Sequence, residues 1–185
     1  MKLELMEDFY IEELKDALDA EKQLTKALPR MAHAASSPAL REAFKMHLNE
    51  TEGQIRRLQQ IFKRLKEPAR GKKCKAMAGI IKEAEEFLGE DAVEEIVDVG
   101  LITAAQKVEH YEIALYGCLA TYAKLLGFME DKELLGQTLQ EEKATDGKLT
   151  LLAEDLNIDA AEGEIPGTEM EGAEEEEPQH AQTDR

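Results

Sequence analysis

Residues 101–120 read LITAAQKVEHYEIALYGCLA, and this stretch sets two acids inside an apolar helical stripe. At about 100° per residue, five of its side chains share one face of a helix: Ile102, Ala105, Ile113, Tyr116 and Ala120. Glu109 lies near the centre of that face, and Glu112 lies one turn further on. The pattern predicts a long helix that directs two carboxylates toward the protein core.

Helix-forming residues also dominate the rest of the chain, and no stretch alternates with a period of two, so we predict an all-α protein. Pro29 is expected to kink the first helix without ending it, Pro38 to begin the second and Gly127 to follow the last residue of the third long helix. Four long helices and a short one, the third in chain order, are predicted over residues 5–35, 38–66, 73–88, 92–126 and 131–155. The connection over residues 66–90 is long enough to cross a bundle, which predicts a four-helix bundle whose second and third long helices run parallel.

The net charge of −17 is unevenly distributed, because 12 acids and one base fall between Glu154 and Arg185. Residues 157–185 are rich in glutamate and glycine and lack the apolar area that a core needs. We therefore predict a folded domain over residues 1–156 and an acidic, disordered tail over residues 157–185. The acidic balance disfavours binding to nucleic acid and to anionic membranes.

The two cysteines, Cys74 and Cys118, are 44 positions apart, and the sequence holds no CxxC pair. This usage argues against a disulfide framework and favours a reducing compartment. The first ten residues, MKLELMEDFY, carry acids where a signal peptide has an apolar segment, and no later apolar run approaches the roughly 18 residues of a membrane span. We expect a cytoplasmic protein without a membrane segment.

The other long helices also direct polar side chains toward the core. Glu21 falls within the apolar stripe of the first helix, and Glu142 falls within that of the last. Further oxygen or nitrogen donors lie on or beside these stripes: His47, Glu50, Gln54 and Asp146. Each of the four long helices is thus predicted to present at least one carboxylate to a shared interior.

Buried ionised carboxylates are costly unless a cation neutralises them, and we find no inward lysine or arginine on these stripes. Divalent metal ions accept oxygen ligands and supply the missing charge, as they do in other bundle cores. The predicted metal ligands are Glu21, Glu50, Gln54, Glu109, Glu112, Glu142 and Asp146. His47 is a further ligand, a partner that orients Glu50, or an ordinary core histidine, and Tyr116 is a neighbour of the ligands or a core residue.

The third long helix has a second apolar face that contains Val97, Val108 and Leu115. A second copy of the chain would cover this face together with the short helix, so we predict a homodimer.

Five segments resemble the YciE/YciF family of bacterial stress proteins: residues 14–44, 47–62, 72–77, 101–119 and 139–154. The resemblance extends over about residues 5–156 and implies a ferritin-like bundle that is usually dimeric and is often given a ferroxidase assignment. It also implies Glu21, Glu50, Glu109 and Glu142 as metal ligands.

Most di-iron bundles have Glu-x-x-His on the second and fourth long helices, whereas Gly53 and Thr145 occupy the histidine positions here. The oxygen-rich donor set fits iron but also fits Mn²⁺ or Mg²⁺.

Two functions remain open at this point. In the first, the protein is a stress-response protein that binds one or two metal ions, with iron favoured, and oxidises Fe²⁺ with O₂ or peroxide. In the second, it is a dimeric stress protein without enzymatic activity, whose divalent ion only stabilises the fold.

Overall fold

The computed structural model describes residues 4–162, and within that range the chain forms five helices and no strand. The helices are α1 (Met6–Ala34), α2 (Pro38–Leu65), α3 (Lys75–Leu88), α4 (Glu94–Leu125) and α5 (Met129–Glu162). The prediction of an all-α protein is confirmed for this part of the chain. The order of four long helices with a short one between α2 and α4 also agrees with the prediction.

The helix ends follow from local sequence. The Ser37 hydroxyl accepts a hydrogen bond from the Leu40 amide at 3.3 Å, and Pro38 is the first residue of α2. Pro29 lies inside α1, which continues to Ala34. After α4, Gly127 has a φ of +78°, a left-handed conformation that favours glycine, so the chain can turn there into α5.

The four long helices contact one another in a closed order, in which α1 packs on α2 and α4, and α5 packs on the same two helices. Their apolar side chains form two separate clusters. The first apolar cluster includes Leu24, Phe44, Leu101 and Leu149, and the second includes Leu14, Leu58, Leu119 and Leu135. Along the chain, α2 and α4 both run from the first cluster to the second, which makes them parallel as predicted.

The second apolar face of α4 is largely buried within the single chain. Ala104 and Val108 pack in the first apolar cluster, with Ile80 and Ile81 of α3 beside them, and are 9% and 5% exposed. A Cβ built at Gly100 would lie 1.9 Å from the Phe87 ring, so α3 approaches α4 closely. The apolar face that suggested a dimer is therefore partly covered by α3, and the homodimer stays a prediction.

The structure describes helix α5 through Glu162, seven residues beyond the predicted end at Asp155. The reason is that the extra turns carry apolar side chains that the core accepts: Leu156 packs against the first apolar cluster, and Ala160 is buried. Residues 163–185 of the predicted tail lie outside the described residues, so the domain boundary after residue 156 stays a prediction.

Two buried aspartates connect distant helix ends. The Asp98 carboxylate of α4 accepts hydrogen bonds from the Ser36 amide at 2.9 Å, the Ser36 hydroxyl at 2.6 Å and the Ser37 amide at 2.8 Å. At the opposite end of the structure, Asp131 of α5 accepts from Arg64 Nε at 2.8 Å and from the Tyr10 hydroxyl at 3.1 Å. These contacts fix the α1–α2 turn on α4 and the end of α2 on α5.

None of the helices in residues 4–162 combines the length and apolar character that crossing a bilayer requires.

Candidate metal centre

A polar layer lies between the two apolar clusters. Every long helix contributes side chains to this layer. Along each helix, the layer lies between the residues that pack in the first apolar cluster and those that pack in the second. Glu21 of α1, Gln54 of α2, Glu112 of α4 and Glu142 of α5 are fully buried there, and Glu109 is 1% exposed. The helical stripes therefore predicted correctly that these five side chains point into the protein.

Four of the buried side chains are close enough to share one ion. His47, Glu109, Glu112 and Glu142 each offer a nitrogen or oxygen atom, and these atoms all lie within 4.8 Å of one another. Glu109 and Glu112 reach the same point because residues three apart lie on one face of α4. Nε2 of His47 lies 3.2 Å from Oε1 of Glu109. The arrangement combines three carboxyl groups and one imidazole from three helices.

Many polar atoms in this layer lack hydrogen-bond partners among the described residues. They are Oε2 of Glu21, Glu109 and Glu142, both carboxyl oxygens of Glu112, Oε1 of Gln54, Oδ1 of Asp146 and both ring nitrogens of His47. Buried polar groups in folded proteins are normally hydrogen-bonded, and each unsatisfied one costs about 1–3 kcal/mol. A cation bound by these atoms would satisfy several of them together, so the donor set fits a metal ion.

Burial also changes the acidity of the layer. It raises the pKa of Glu109 from the ordinary 4.5 to about 11, and the nearby Glu142 carboxyl adds to the effect. Burial likewise raises the pKa of Glu21 and Glu112 well above the ordinary value, and that of Glu142 in the same direction. Without a cation, Glu109 holds its proton at neutral pH, and a bound ion would displace it.

Glu21 and Gln54 adjoin the four-residue group without belonging to it. The Tyr116 hydroxyl donates a hydrogen bond to one oxygen of Glu21, so Tyr116 lies beside a predicted ligand as expected. The Gln54 amide nitrogen donates to Glu142 and, at 3.2 Å, to Glu141. Gln54 therefore holds the Glu142 carboxyl in position through its nitrogen, while its carbonyl oxygen has no hydrogen-bond partner in residues 4–162.

Two other predicted ligands lie at the edge of the polar layer. The Glu50 side chain is 30% exposed and 3.7 Å from His47 Nδ1, and the proximity of the His47 ring lowers its pKa. Thr145 Oγ1 also donates to Glu50 at 3.3 Å. The Asp146 side chain is 24% exposed and lies 3.3 Å from Nε2 of His110. Neither carboxylate belongs to the group that converges within 4.8 Å.

Sequence reasoning missed one cation beside the layer. Arg57 pairs with Glu141, and its Nε donates to Thr138 Oγ1 at 3.0 Å. Its positive charge lowers the pKa of Glu21, against the larger effect of burial. The spacing of Arg57, one turn after Gln54, could have indicated this contact, but its long side chain reaches inward from the border of the apolar stripe.

Comparisons with known proteins agree on one family. A family described as "Domain of unknown function (DUF892)" matches residues 5–162. The chain is 50% identical to protein YciF of Escherichia coli K12 over 156 residues, which cover 83% of this chain and 93% of that protein.

Two solved structures give the same result. The crystal structure of the E. coli stress protein YciF matches with a TM-score of 0.81 and 48% identity, over 84% of this chain and 99% of that one. The structure of YcfI from Rhodopseudomonas palustris matches with a TM-score of 0.79 and 43% identity, over 80% and 95% of the two chains. The resemblance to YciF-like stress proteins is thereby confirmed, and the chain belongs to the DUF892 family.

Proposed function

We propose that the protein is a ferritin-like four-helix bundle that binds one or two divalent metal ions in its polar layer and oxidises Fe²⁺ as part of a stress response. The observation that carries this proposal is the convergence of His47, Glu109, Glu112 and Glu142 within 4.8 Å, all of them buried. The similarity to the E. coli stress protein YciF supports the stress-related part of the proposal.

The donor chemistry supports iron as the ion. Carboxylate oxygens are hard anionic ligands that stabilise Fe³⁺ relative to Fe²⁺, so a site built from them favours loss of an electron from ferrous iron. Imidazole is also a common iron ligand. In this proposal Fe²⁺ is the substrate and O₂ or peroxide is the electron acceptor. Mn²⁺ and Mg²⁺ fit the same oxygen donors and are the competing ions.

The protein's own residues have separate parts in this proposal. His47, Glu109, Glu112 and Glu142 hold the ion directly. Tyr116 fixes one oxygen of Glu21, which leaves the other oxygen free to approach the ion.

Gln54 and Arg57 act from the α2 side, where Gln54 holds Glu142 and Arg57 holds Glu141. Partners that orient metal ligands in this way typically contribute about 10–100-fold to metal affinity.

The second candidate is a bound ion without turnover. The burial of three carboxyl groups at 0–1% exposure favours it, because any divalent ion would remove the cost of burying them. Such an ion would stabilise the folded state in proportion to the logarithm of its concentration above Kd.

Anaerobic titration separates these two functions. Metal-free protein is titrated with Fe²⁺ under argon, and O₂ is then added while the absorbance of the ferric product is followed. We expect saturable Fe²⁺ binding at one or two ions per chain and oxidation faster than in protein-free buffer. Glu112→Gln should reduce both by at least about tenfold, whereas the exposed Glu52→Gln on α2 should change neither.

The outcomes are distinct. Bound ion with a raised Tm but oxidation at the buffer rate would support the second candidate and contradict the first. Failure of metal-free protein to bind Fe²⁺, Mn²⁺ or Mg²⁺ would contradict both.

A further inference from the structure

A cavity of about 390 Å³ opens between α2 and α5 and reaches the edge of the polar layer. Its walls are mainly apolar and include Ala43, Phe44, Leu149 and Leu152. Small-molecule sites typically have volumes of about 300–1,000 Å³ and apolar walls with a few polar groups. A metal ion requires neither the volume nor the apolar walls. At about 30 Å³ for each water-sized group, the cavity accommodates roughly a dozen non-hydrogen atoms.

The floor of the cavity presents polar atoms without hydrogen-bond partners. His47 and Glu109 line it and are 3% and 1% exposed. Neither ring nitrogen of His47 nor Oε2 of Glu109 has a hydrogen-bond partner in the described part of the chain. Glu50 lines the same floor, with Oε2 3.7 Å from Nδ1 of His47. A ligand group with several N–H donors would bond to Oε2 of Glu109, to Glu50 and to the one ring nitrogen of His47 that accepts a hydrogen bond.

The charged residues around the cavity favour a positively charged ligand. Besides the protonated Glu109, three acids and one lysine line it: Glu42, Glu50, Asp155 and Lys148. Nζ of Lys148 lies 4.0 Å from Oε1 of Glu50, so the lysine offsets one acid and leaves an acidic balance. An organic carboxylate would meet repulsion here, whereas an ammonium group would be attracted.

We propose that this cavity binds an aliphatic primary amine. The ammonium group donates hydrogen bonds to Glu109, Glu50 and the acceptor nitrogen of His47, and the aliphatic chain lies against Ala43 and Leu152. Burial of the chain contributes about 0.8 kcal/mol for each methylene.

This site differs from the proposed metal centre, although the two share His47 and Glu109. Glu112 and Glu142 belong to the four-residue metal group but do not line the cavity. The two ligands are therefore expected to compete at the shared residues, and substitution of Glu112 should affect only the metal.

Calorimetry on the metal-free, full-length protein tests the proposal. The probes are n-octylamine, n-octanol and octanoate, which share a chain length and differ in the charge of the head group, each below its micelle-forming concentration. We expect octylamine to bind at least about tenfold more tightly than octanol, or about 1.4 kcal/mol, and octanoate to bind most weakly. Shifts of NMR amide signals should concentrate in residues 39–50 and 145–155.

Four variants make the test specific. Ala43→Phe and the exposed Ala39→Phe should fill the cavity and abolish octylamine binding, whereas Ala144→Phe, on an exposed part of α5 outside the cavity, should preserve it. Glu50→Gln should remove most of the preference for octylamine over octanol, because it replaces the charged carboxylate at the floor with a neutral amide. The exposed position of Ala39 keeps the test valid if Ala43→Phe fails to fold.

Three results would overturn the proposal: no saturable octylamine binding, equal affinity for octylamine and octanol, or binding that persists in Ala39→Phe. Glu112→Gln separates this proposal from the metal function, because it should weaken metal binding and leave octylamine binding unchanged. Loss of octylamine binding in protein that still binds metal would refute only the amine site.

Discussion

Replacing Glu109 with glutamine should stabilise the metal-free protein and weaken its metal binding. Glutamine has the size of glutamate and carries no charge, and its amide can still donate a hydrogen bond to Glu142, as the protonated carboxyl does. The substitution therefore removes one titrating group from a buried layer with little change in packing. Stability and metal affinity should move in opposite directions.

The magnitude follows from the change in pKa. Burial raises the pKa of Glu109 from 4.5 to about 11, so the folded protein keeps the proton at pH 7.5 and the unfolded chain releases it. The stability contributed by this group is fully present below about pH 4.5 and is lost as the pH rises toward 11, at about 1.4 kcal/mol per pH unit. At about pH 7.5 the loss is close to 4 kcal/mol, and relaxation around the group should reduce the measured gain to about 2–4 kcal/mol.

Urea denaturation of metal-free protein at pH 5 and pH 7.5 measures this effect. Glu109→Gln should raise the free energy of unfolding and raise Tm by about 4–16 °C at the higher pH, and the gain should fall below about 1 kcal/mol at the lower pH. Glu52→Gln, an exposed substitution on α2, serves as the control and should change stability by less than about 0.5 kcal/mol. If Glu109→Gln leaves stability unchanged or lower at pH 7.5, the buried carboxyl does not destabilise the folded protein, and no cation is needed to offset its burial.

Three further predictions concern the ion and the helix contacts. Metal affinity should increase from pH 6 to pH 8, because burial raises the pKa of Glu109 and Glu112 and the ion therefore competes with protons there, and competition with a coloured chelator would detect an opposite or absent trend. Asp98→Ala should cost about 3 kcal/mol in urea denaturation, since three hydrogen bonds to the α1–α2 turn are lost, and a cost below about 1 kcal/mol would contradict their importance. Gly100→Ala should lower stability by about 1–3 kcal/mol by displacing the Phe87 ring, and an unchanged Tm would show that α3 shifts freely.

The polar layer was largely predictable from the sequence because helical periodicity is strict. Glu109 and Glu112 are three residues apart within an apolar stripe, so only one orientation of α4 buries the stripe, and that orientation also buries both acids. Periodicity was less useful for Glu50 and Asp146. A position that borders a stripe on the helical wheel can face the core or its margin, and the packing of α2 against α5 places both side chains at the margin.

Contacts between helices were harder to predict. Gln54 was expected to offer an oxygen to the metal, but the proximity of Glu141 and Glu142 turns its amide nitrogen toward them. Arg57 was overlooked because its guanidinium reaches Glu141 from the border of the stripe. The cover that α3 gives to α4 depends on the close approach of Phe87 to Gly100, which no local pattern encodes.

The burial of charged groups midway along the bundle also has a consequence for protein engineering. A laboratory selection for heat resistance alone, carried out without metal, should accumulate uncharged or aliphatic replacements at positions 109, 112 and 142, because each relieves a local conflict within the fold. The selected variants would be helical bundles of higher thermal stability that no longer bind metal ions. Screens for thermal stability of this protein therefore need metal in the medium if the metal-binding residues are to be retained.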